Sequence, residues 1–574
     1  MATSLRLQIV QIKTSRRRWL PLLSLVIPLV VGCRAGAPTQ TTGLRTTATA
    51  QCSQPNTGVA EYTGVISNAP ADLVAMIKSF PKGGDIHNHL SGAVMPEDYI
   101  ALGTQDNDCY GPDSNNPAQL AIRVRGSDGG CITPDRPLTL SGGNEERLMR
   151  SLSMYQFDYT SIQAGHDQFF ATFGRFGAVS GSDGDKGKML AKVLLQADAD
   201  SVSYVETMMS FQSLTVTTLA NLLRTQFPDP ASFTDPGKYA AMYTYLNNNG
   251  LKSAVSDAGK DISSYVSQMK ATLGCDTAPK NPGCAVTFRL LSEVNRNSAL
   301  NQGPDLAKMF TQTAFSFLLT NSDSRVVGVN LVSGEDQPIS MQSFASQMQF
   351  FSYFHSTFPT ANFALHGGEL TPCFVGAGNP ALLSHLTGSI SAGAKRLGHA
   401  ISFEYLNDGQ KAQVVSLLRS NNVLVEIPFT SNAQILGVAG KGHPFTQYFR
   451  TFAIPTSFST DDEGVSHSNY TSEWVYARLK YGLKFDEAVN LARSSLQYSF
   501  LAGSPLWLNV PSAKLAPACA GQTPGSAVAP GSACSAFLSG SAKAGVQWDF
   551  ERRLADFQGT HAAGIRQYWD PAAN

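Results

Sequence analysis

Short apolar runs alternate with helical stretches over about 420 residues of this chain, and that alternation narrows the possible folds more than any other feature. Eight such runs begin near residues 85, 202, 286, 326, 362, 396, 423 and 456. Helices are expected over 71–80, 145–159, 166–177, 186–198, 214–227, 239–248 and 262–273, then over 305–319, 344–358, 381–392, 411–419, 471–481 and 486–500. Strands fed by helices in this way pair in parallel, and the polar His- and Asp-bearing positions fall at their C-terminal ends. A (β/α)8 TIM barrel carries its active site at that edge. A doubly wound open sheet is the rival, but it gathers its site at one switch point rather than at many strand ends.

The flanks read differently. Residues 1–32 carry Arg6, Lys13, Arg16, Arg17 and Arg18, then an apolar stretch from Trp19 to Val31 that is too short for a permanent membrane helix. Val30-Val31-Gly32-Cys33 resembles a bacterial lipoprotein signal with Cys33 lipidated, and Ser15-Arg16-Arg17-Arg18-Trp19-Leu20 resembles a twin-arginine signal. Location in the cell envelope or beyond it is therefore expected, with membrane attachment only through the lipid. Residues 33–70 are expected to be a tether and N-terminal extension, the low-periodicity part running over 34–65. The folded body is placed at 71–505, with an insertion rich in Asn, Asp, Gly and Pro at 103–143. Residues 506–574 are expected to form an exposed disulfide loop and a last helix near 548–557.

Nine cysteines, none in a Cys-x-x-Cys pair, fit disulfides in an oxidising compartment better than zinc knuckles. Sequence proximity suggests Cys109–Cys131, Cys275–Cys284 and Cys519–Cys534, leaving Cys52–Cys373. The chain balances 43 basic against 43 acidic residues, and loss of the first 32 leaves 38 against 43. With no basic stripe, nucleic acid is not an expected partner.

The first strand holds Asp85-Ile86-His87-Asn88-His89-Leu90-Ser91-Gly92. Alternation puts His87 and His89 on one face, close enough to share an ion. His366 ends another strand and Glu369 follows three residues later, placed to act as an acid or base. His399 is either a further ligand or an imidazole that orients a metal-held water. Asp461 and Asp462 supply a carboxylate for the ion and one for a substrate. Two or three imidazoles, a carboxylate and an open position describe a catalytic zinc site.

These pieces resemble the adenosine deaminase family of metal-dependent hydrolases, and its secreted, growth-factor-related branch most closely. The matching segments are His87-Asn88-His89-Leu90-Ser91-Gly92, Tyr204-Val205-Glu206, Val327 to Asp336, His366-Gly367-Gly368-Glu369, Arg396-Leu397-Gly398-His399, Pro428-Phe429-Thr430-Ser431-Asn432, Ser459-Thr460-Asp461-Asp462 and Ala492 to Leu501. The resemblance implies zinc held by His87, His89, His366 and Asp461. It further implies Glu369 as proton donor to the purine ring, His399 as holder of the attacking water, and Asp462 on the purine imidazole nitrogen. Substrate contacts are implied at His89, Ser91, Gly92, Ser333 and Gly334. The implied reaction turns adenosine, and 2′-deoxyadenosine, into the inosine nucleoside and ammonia. The branch also implies a homodimer.

Three departures stand out. Ser91 replaces an aspartate that meets the ribose 5′-hydroxyl, Asn330-Leu331-Val332-Ser333 replaces Asp-Leu-(Ala/Val)-Gly, and no arginine follows Glu206. They leave room for adenine or another 6-aminopurine as substrate. The competing class is a catalytically silent nucleoside-binding or signalling protein on the same barrel. A binuclear hydrolase would want a bridging carboxylate or lysine carbamate, which the strand ends do not offer. Phe169, Phe170, Phe173 and Tyr204 suit either a purine wall or the core.

Overall fold

The computed structural model describes residues 52–139, 143–526 and 528–569. The export signal, Cys33 and the start of the tether lie outside the described residues.

Eight parallel strands form one sheet in chain order. They are β1 (Gly84–His89), β2 (Tyr204–Met209), β3 (Thr287–Asn295), β4 (Val326–Val332), β5 (Asn362–Gly367), β6 (Arg396–His399), β7 (Leu424–Ile427) and β8 (Thr456–Phe458). The first and last ends meet just past β8. There the Asp461 N–H donates to the His87 carbonyl at 2.9 Å, and the His89 N–H donates to the Asp461 carbonyl at 3.2 Å. Only this parallel bridge joins them, so the barrel is nearly rather than fully closed. It is a (β/α)8 barrel, as the alternation predicts, with N-terminal elements and disulfide-linked insertions.

β4 and β7 are largely buried on both faces, which is why they read as runs rich in Val, Leu and Ile. Met208, Leu291, Ala364 and Phe500 pack within the barrel as a cluster separate from the large core under the helices. The Arg396 guanidinium lies 3.9 Å from the centroid of the Phe500 ring. It pairs with Glu206 at 2.6 Å and with Glu426 at 2.6 Å, all three side chains fully buried. Tyr204 donates its hydroxyl to Glu206 and is buried, as is Phe169, so both are core rather than pocket wall.

Several boundaries differ from expectation. The tether reading fails from residue 52 on: Thr57–Ser67 is a helix whose first turn is capped by Asn56. Its Val59 and Tyr62, three residues apart, are buried, and Tyr62 packs on Tyr476 with ring centroids 4.7 Å apart. A single apolar pair was too weak a period to stand out in the sequence. The helix expected over 145–159 stops at Leu152, because the next residues turn to bond the chain near Val465. The helix expected to begin at 262 begins at Leu251.

Residues 103–143 hold a three-stranded antiparallel sheet pinned by Cys109–Cys131. The other bridges are Cys52–Cys373, Cys275–Cys284 and Cys519–Cys534, the four pairings expected. The C-terminal bridge is not exposed: Cys519 and Cys534 are buried in the main core. The last helix runs from Ala542 to Gly564, longer than 548–557, because Ser541 caps a small-residue first turn.

Candidate metal and catalytic site

Seven of the polar residues singled out in the sequence converge at the C-terminal mouth of the barrel. His89 Nε2 lies 3.2 Å from His366 Nε2 and 3.2 Å from Asp461 Oδ1. His87 Nε2 lies 3.3 Å from the same oxygen, and the His87 and His366 rings are 4.5 Å apart. Ligands at about 2.0 Å from a tetrahedral zinc stand about 3.3 Å from one another, so this spacing is that of donors around one ion. His399 joins the group, its Nε2 3.7 Å from Asp461 Oδ2.

The donor chemistry passes the same test. His87 Nδ1 is 2.7 Å from Glu426, His89 Nδ1 is 3.4 Å from Glu293, and His366 Nδ1 is 2.8 Å from Asn330 Oδ1. Each acceptor takes the Nδ1 proton, which leaves a lone pair on every Nε2. Lone pairs facing one another at van der Waals contact repel unless a cation lies between them. Fully buried His87 Nε2 and Asp461 Oδ1 face each other at 3.3 Å. Two overlapping donor groups could therefore hold a divalent ion: His87, His366, His399 and Asp461, and His89 with Asp461 and Asp462.

Burial works against a charged His87, yet hydrogen bonds to Asp461 and Glu426 outweigh it and raise its pKa to about 9 before any ion binds. Burial likewise opposes a charged Asp461, but His87 and His89 hold its carboxyl well below the usual range. Burial, with Asp461 and Glu335 beside it, pushes Glu369 well above the ordinary carboxylate range. Glu369 is therefore a carboxylic acid at neutral pH, with Oε1 3.7 Å from His399 Nδ1. Burial holds His399 down at about 4, so it is neutral there. Asp462 is raised to about 8 by burial, against the pull of His89 and with the push of Asp461.

Gly92 is forced by its neighbour: a Cβ there would sit 1.5 Å from Asp462 Oδ1. The adjacent Ser91 carbonyl accepts from the Tyr99 hydroxyl at 2.5 Å. Ser333 adopts φ +85°, and Asn297 Nδ2 donates to its Oγ at 3.0 Å and to the Gly334 carbonyl at 2.8 Å. That loop leads into Glu335, which sequence reasoning passed over. Its buried carboxylate accepts the N–H groups of Gly368 at 3.1 Å and Glu369 at 2.7 Å, and meets His385 at 2.6 Å. Burial opposes its charge, but Arg296 and His385 outweigh it and hold its pKa at about 2. Glu335 thus fixes the backbone of Glu369 and keeps the neighbouring acid protonated.

Glu293, Glu426, Asn432 and His443 were also passed over as site residues. One of them carried a readable signal: Glu426 is a lone acid inside an otherwise apolar strand, the pattern that singled out His366.

A family model described as adenosine deaminase matches residues 241–504. Adenosine deaminase of Enterococcus faecalis is 28% identical over 139 residues, which is 24% of this chain and 36% of that protein. N6-Methyl-AMP deaminase of Danio rerio is 24% identical over 257 residues, 45% of this chain and 67% of that protein. The apo structure of the N6-methyl-AMP deaminase from Arabidopsis thaliana aligns at a TM-score of 0.46 and 16% identity, over 75% of this chain and 94% of that one. The match to the Enterococcus enzyme thus spans about a third of its length. The nearly closed parallel barrel carries at its mouth a set of donors that could hold a divalent ion. The family match spans strands β3 to β8, and over that part the chain is similar to the adenosine deaminase family.

Proposed function

We propose that this protein hydrolytically deaminates a 6-aminopurine with a zinc ion as cofactor. The observation that carries the reading is the buried Glu369 beside His399 and next to the three-histidine, one-aspartate cluster. When bound, the ion supplies the Lewis acidity that makes a water nucleophilic near neutral pH. Glu369 donates its proton to the ring nitrogen beside C6, which makes that carbon electrophilic. His399 holds the water on line with C6. Asp462, still partly protonated, hydrogen-bonds the imidazole nitrogen of the purine and sets the ring against Glu369. As oxygen adds to C6, one water proton returns to Glu369; the other passes from the C6 hydroxyl to the amino group, and the C–N bond breaks to release ammonia or the substituted amine.

The two curated relatives bear the names adenosine deaminase and N6-methyl-AMP deaminase, and the aminopurine ring is what those substrates share. We set the substrate class at that ring. Adenosine and 2′-deoxyadenosine fit if the Ser91 hydroxyl meets the sugar in place of a carboxylate; adenine fits if it does not. The assay is loss of aminopurine absorbance with amine release from zinc-loaded protein, on adenosine, 2′-deoxyadenosine, adenine and N6-methyl-AMP. No release from any of them overturns the reading, and equal rates on adenine and adenosine exclude a nucleoside-specific pocket.

The proposal extends to export and lipidation at Cys33, supported by Val30-Val31-Gly32-Cys33 and by four disulfides, which persist in oxidising compartments. Membership of the secreted, growth-factor-related branch, and the homodimer it implies, rest on the sequence motifs.

A further inference from the structure

Donor and acceptor bookkeeping behind His399 leads to one more assignment, which rests on the deaminase reading. Asn432 Oδ1 lies 2.9 Å from His399 Nδ1 and Asn432 Nδ2 lies 3.0 Å from His443 Nε2, and turning the amide end for end exchanges the two. The N–H of Phe445 donates to His443 Nδ1 at 3.1 Å. His443 is 2% exposed and packs against the Phe429 ring, so it is a neutral imidazole with one donor and one acceptor nitrogen. Because Nδ1 accepts, the proton sits on Nε2, and that N–H needs an acceptor.

The Asn432 oxygen is the acceptor within reach. Which end of a side-chain amide is oxygen follows from its partners, and here the partner is a donor. The Asn432 NH2 then faces His399 and donates to its Nδ1. His399 must therefore carry its own proton on Nε2, the nitrogen that points into the site and has no partner there. His87 and His89 are wired the opposite way, since carboxylates behind them accept only and leave Nε2 bare.

We infer that His443, acting through Asn432, fixes the His399 proton on Nε2. His399 consequently faces the reaction as a hydrogen-bond donor to the attacking water and not as a fourth imidazole ligand. His443 and Asn432 are positioning residues, and neither touches substrate.

The test uses zinc-loaded full-length protein labelled with 15N-histidine. The chain has ten histidines, and His399→Gln assigns the one in question. The expected result is a protonated Nε2 and an unprotonated, hydrogen-bonded Nδ1 at His399. Asn432→Asp offers acceptors to both imidazoles and should move the His399 proton to Nδ1, lowering kcat about a hundredfold with KM and bound zinc unchanged. His443→Phe should lose a comparable factor, and His443→Gln, which can still donate to Asn432, should recover most of it. A wild-type His399 protonated on Nδ1 overturns the inference, as does an Asn432→Asp protein with unaltered 15N pattern and kcat. If no aminopurine is deaminated, the deaminase reading falls, while the 15N pattern still decides the tautomer.

Discussion

Two buried polar layers sit close together inside this barrel, and they balance their charge in opposite ways. In the lower one, Arg396 stands between Glu206 and Glu426, stacks on Phe500 and donates to the Ile86 carbonyl at 3.0 Å. That layer supplies its own cation. In the upper one, His87, His89, His366 and the Asp461 carboxylate converge with no Arg or Lys among them. The first layer is complete as folded; the second is short of one positive ion. Glu426 joins them, with one oxygen on Arg396 and the other on His87. A self-sufficient layer thus aims the ligands of an insufficient one.

The comparison can be broken at either layer. Glu369→Gln removes the proposed proton donor of the upper layer while leaving every candidate donor to the ion in place. Activity on the best aminopurine should fall by about two to four orders of magnitude with zinc content unchanged, as steady-state rates and metal analysis would record. A near-normal rate would remove Glu369 from the proton-donor role.

Arg396→Met attacks the lower layer. It strands two buried carboxylates, and loss of one partner from such a group costs about 3–5 kcal/mol, read as a lower denaturant midpoint. Adding Glu206→Gln and Glu426→Gln should restore part of that stability but not the activity, since His87 loses its carboxylate. Full recovery of activity in the triple variant would sever the proposed link between the layers.

The pH dependence of the metal-free protein sharpens the contrast. His87 has its folded pKa raised from the ordinary 6.5 to about 9. Its contribution to stability is therefore complete below pH 6.5 and is lost as pH rises through 9. An ion takes that lone pair, so zinc-loaded protein should lack the decline. Denaturant midpoints at both ends of that window, with and without chelator, test it; parallel curves for the two forms would refute the shared site.

The smallest effect is expected far from both layers. Glu146 and Arg150 form an i,i+4 pair at 2.7 Å with half-exposed side chains. Glu146→Ala should shift stability by less than about 0.5 kcal/mol. A larger loss would mean that exposure is not what separates this pair from Arg396.

Much of this was legible in the sequence because the signals were local. The βα alternation is a property of runs of residues, and the histidines and aspartates of the site announce themselves by falling where apolar runs end. The four cysteine pairs followed from proximity and elimination. The buried helix at Thr57–Ser67 did not, because its period is two residues deep and its partners lie some 400 positions away on the helix carrying Tyr476. Glu335 stayed hidden for a similar reason, since it acts on the backbone of Gly368 and Glu369 past the next strand.

The sequence by itself determined that eight strands would pair in parallel and which residue types would crowd one edge, since periodicity and burial are written along the chain. Only the tertiary structure decided which imidazoles bare a lone pair and which presents a proton. That distinction is set by the partner behind each ring, Glu426, Glu293, Asn330 or Asn432, and closure of the barrel is what brings each partner to its histidine.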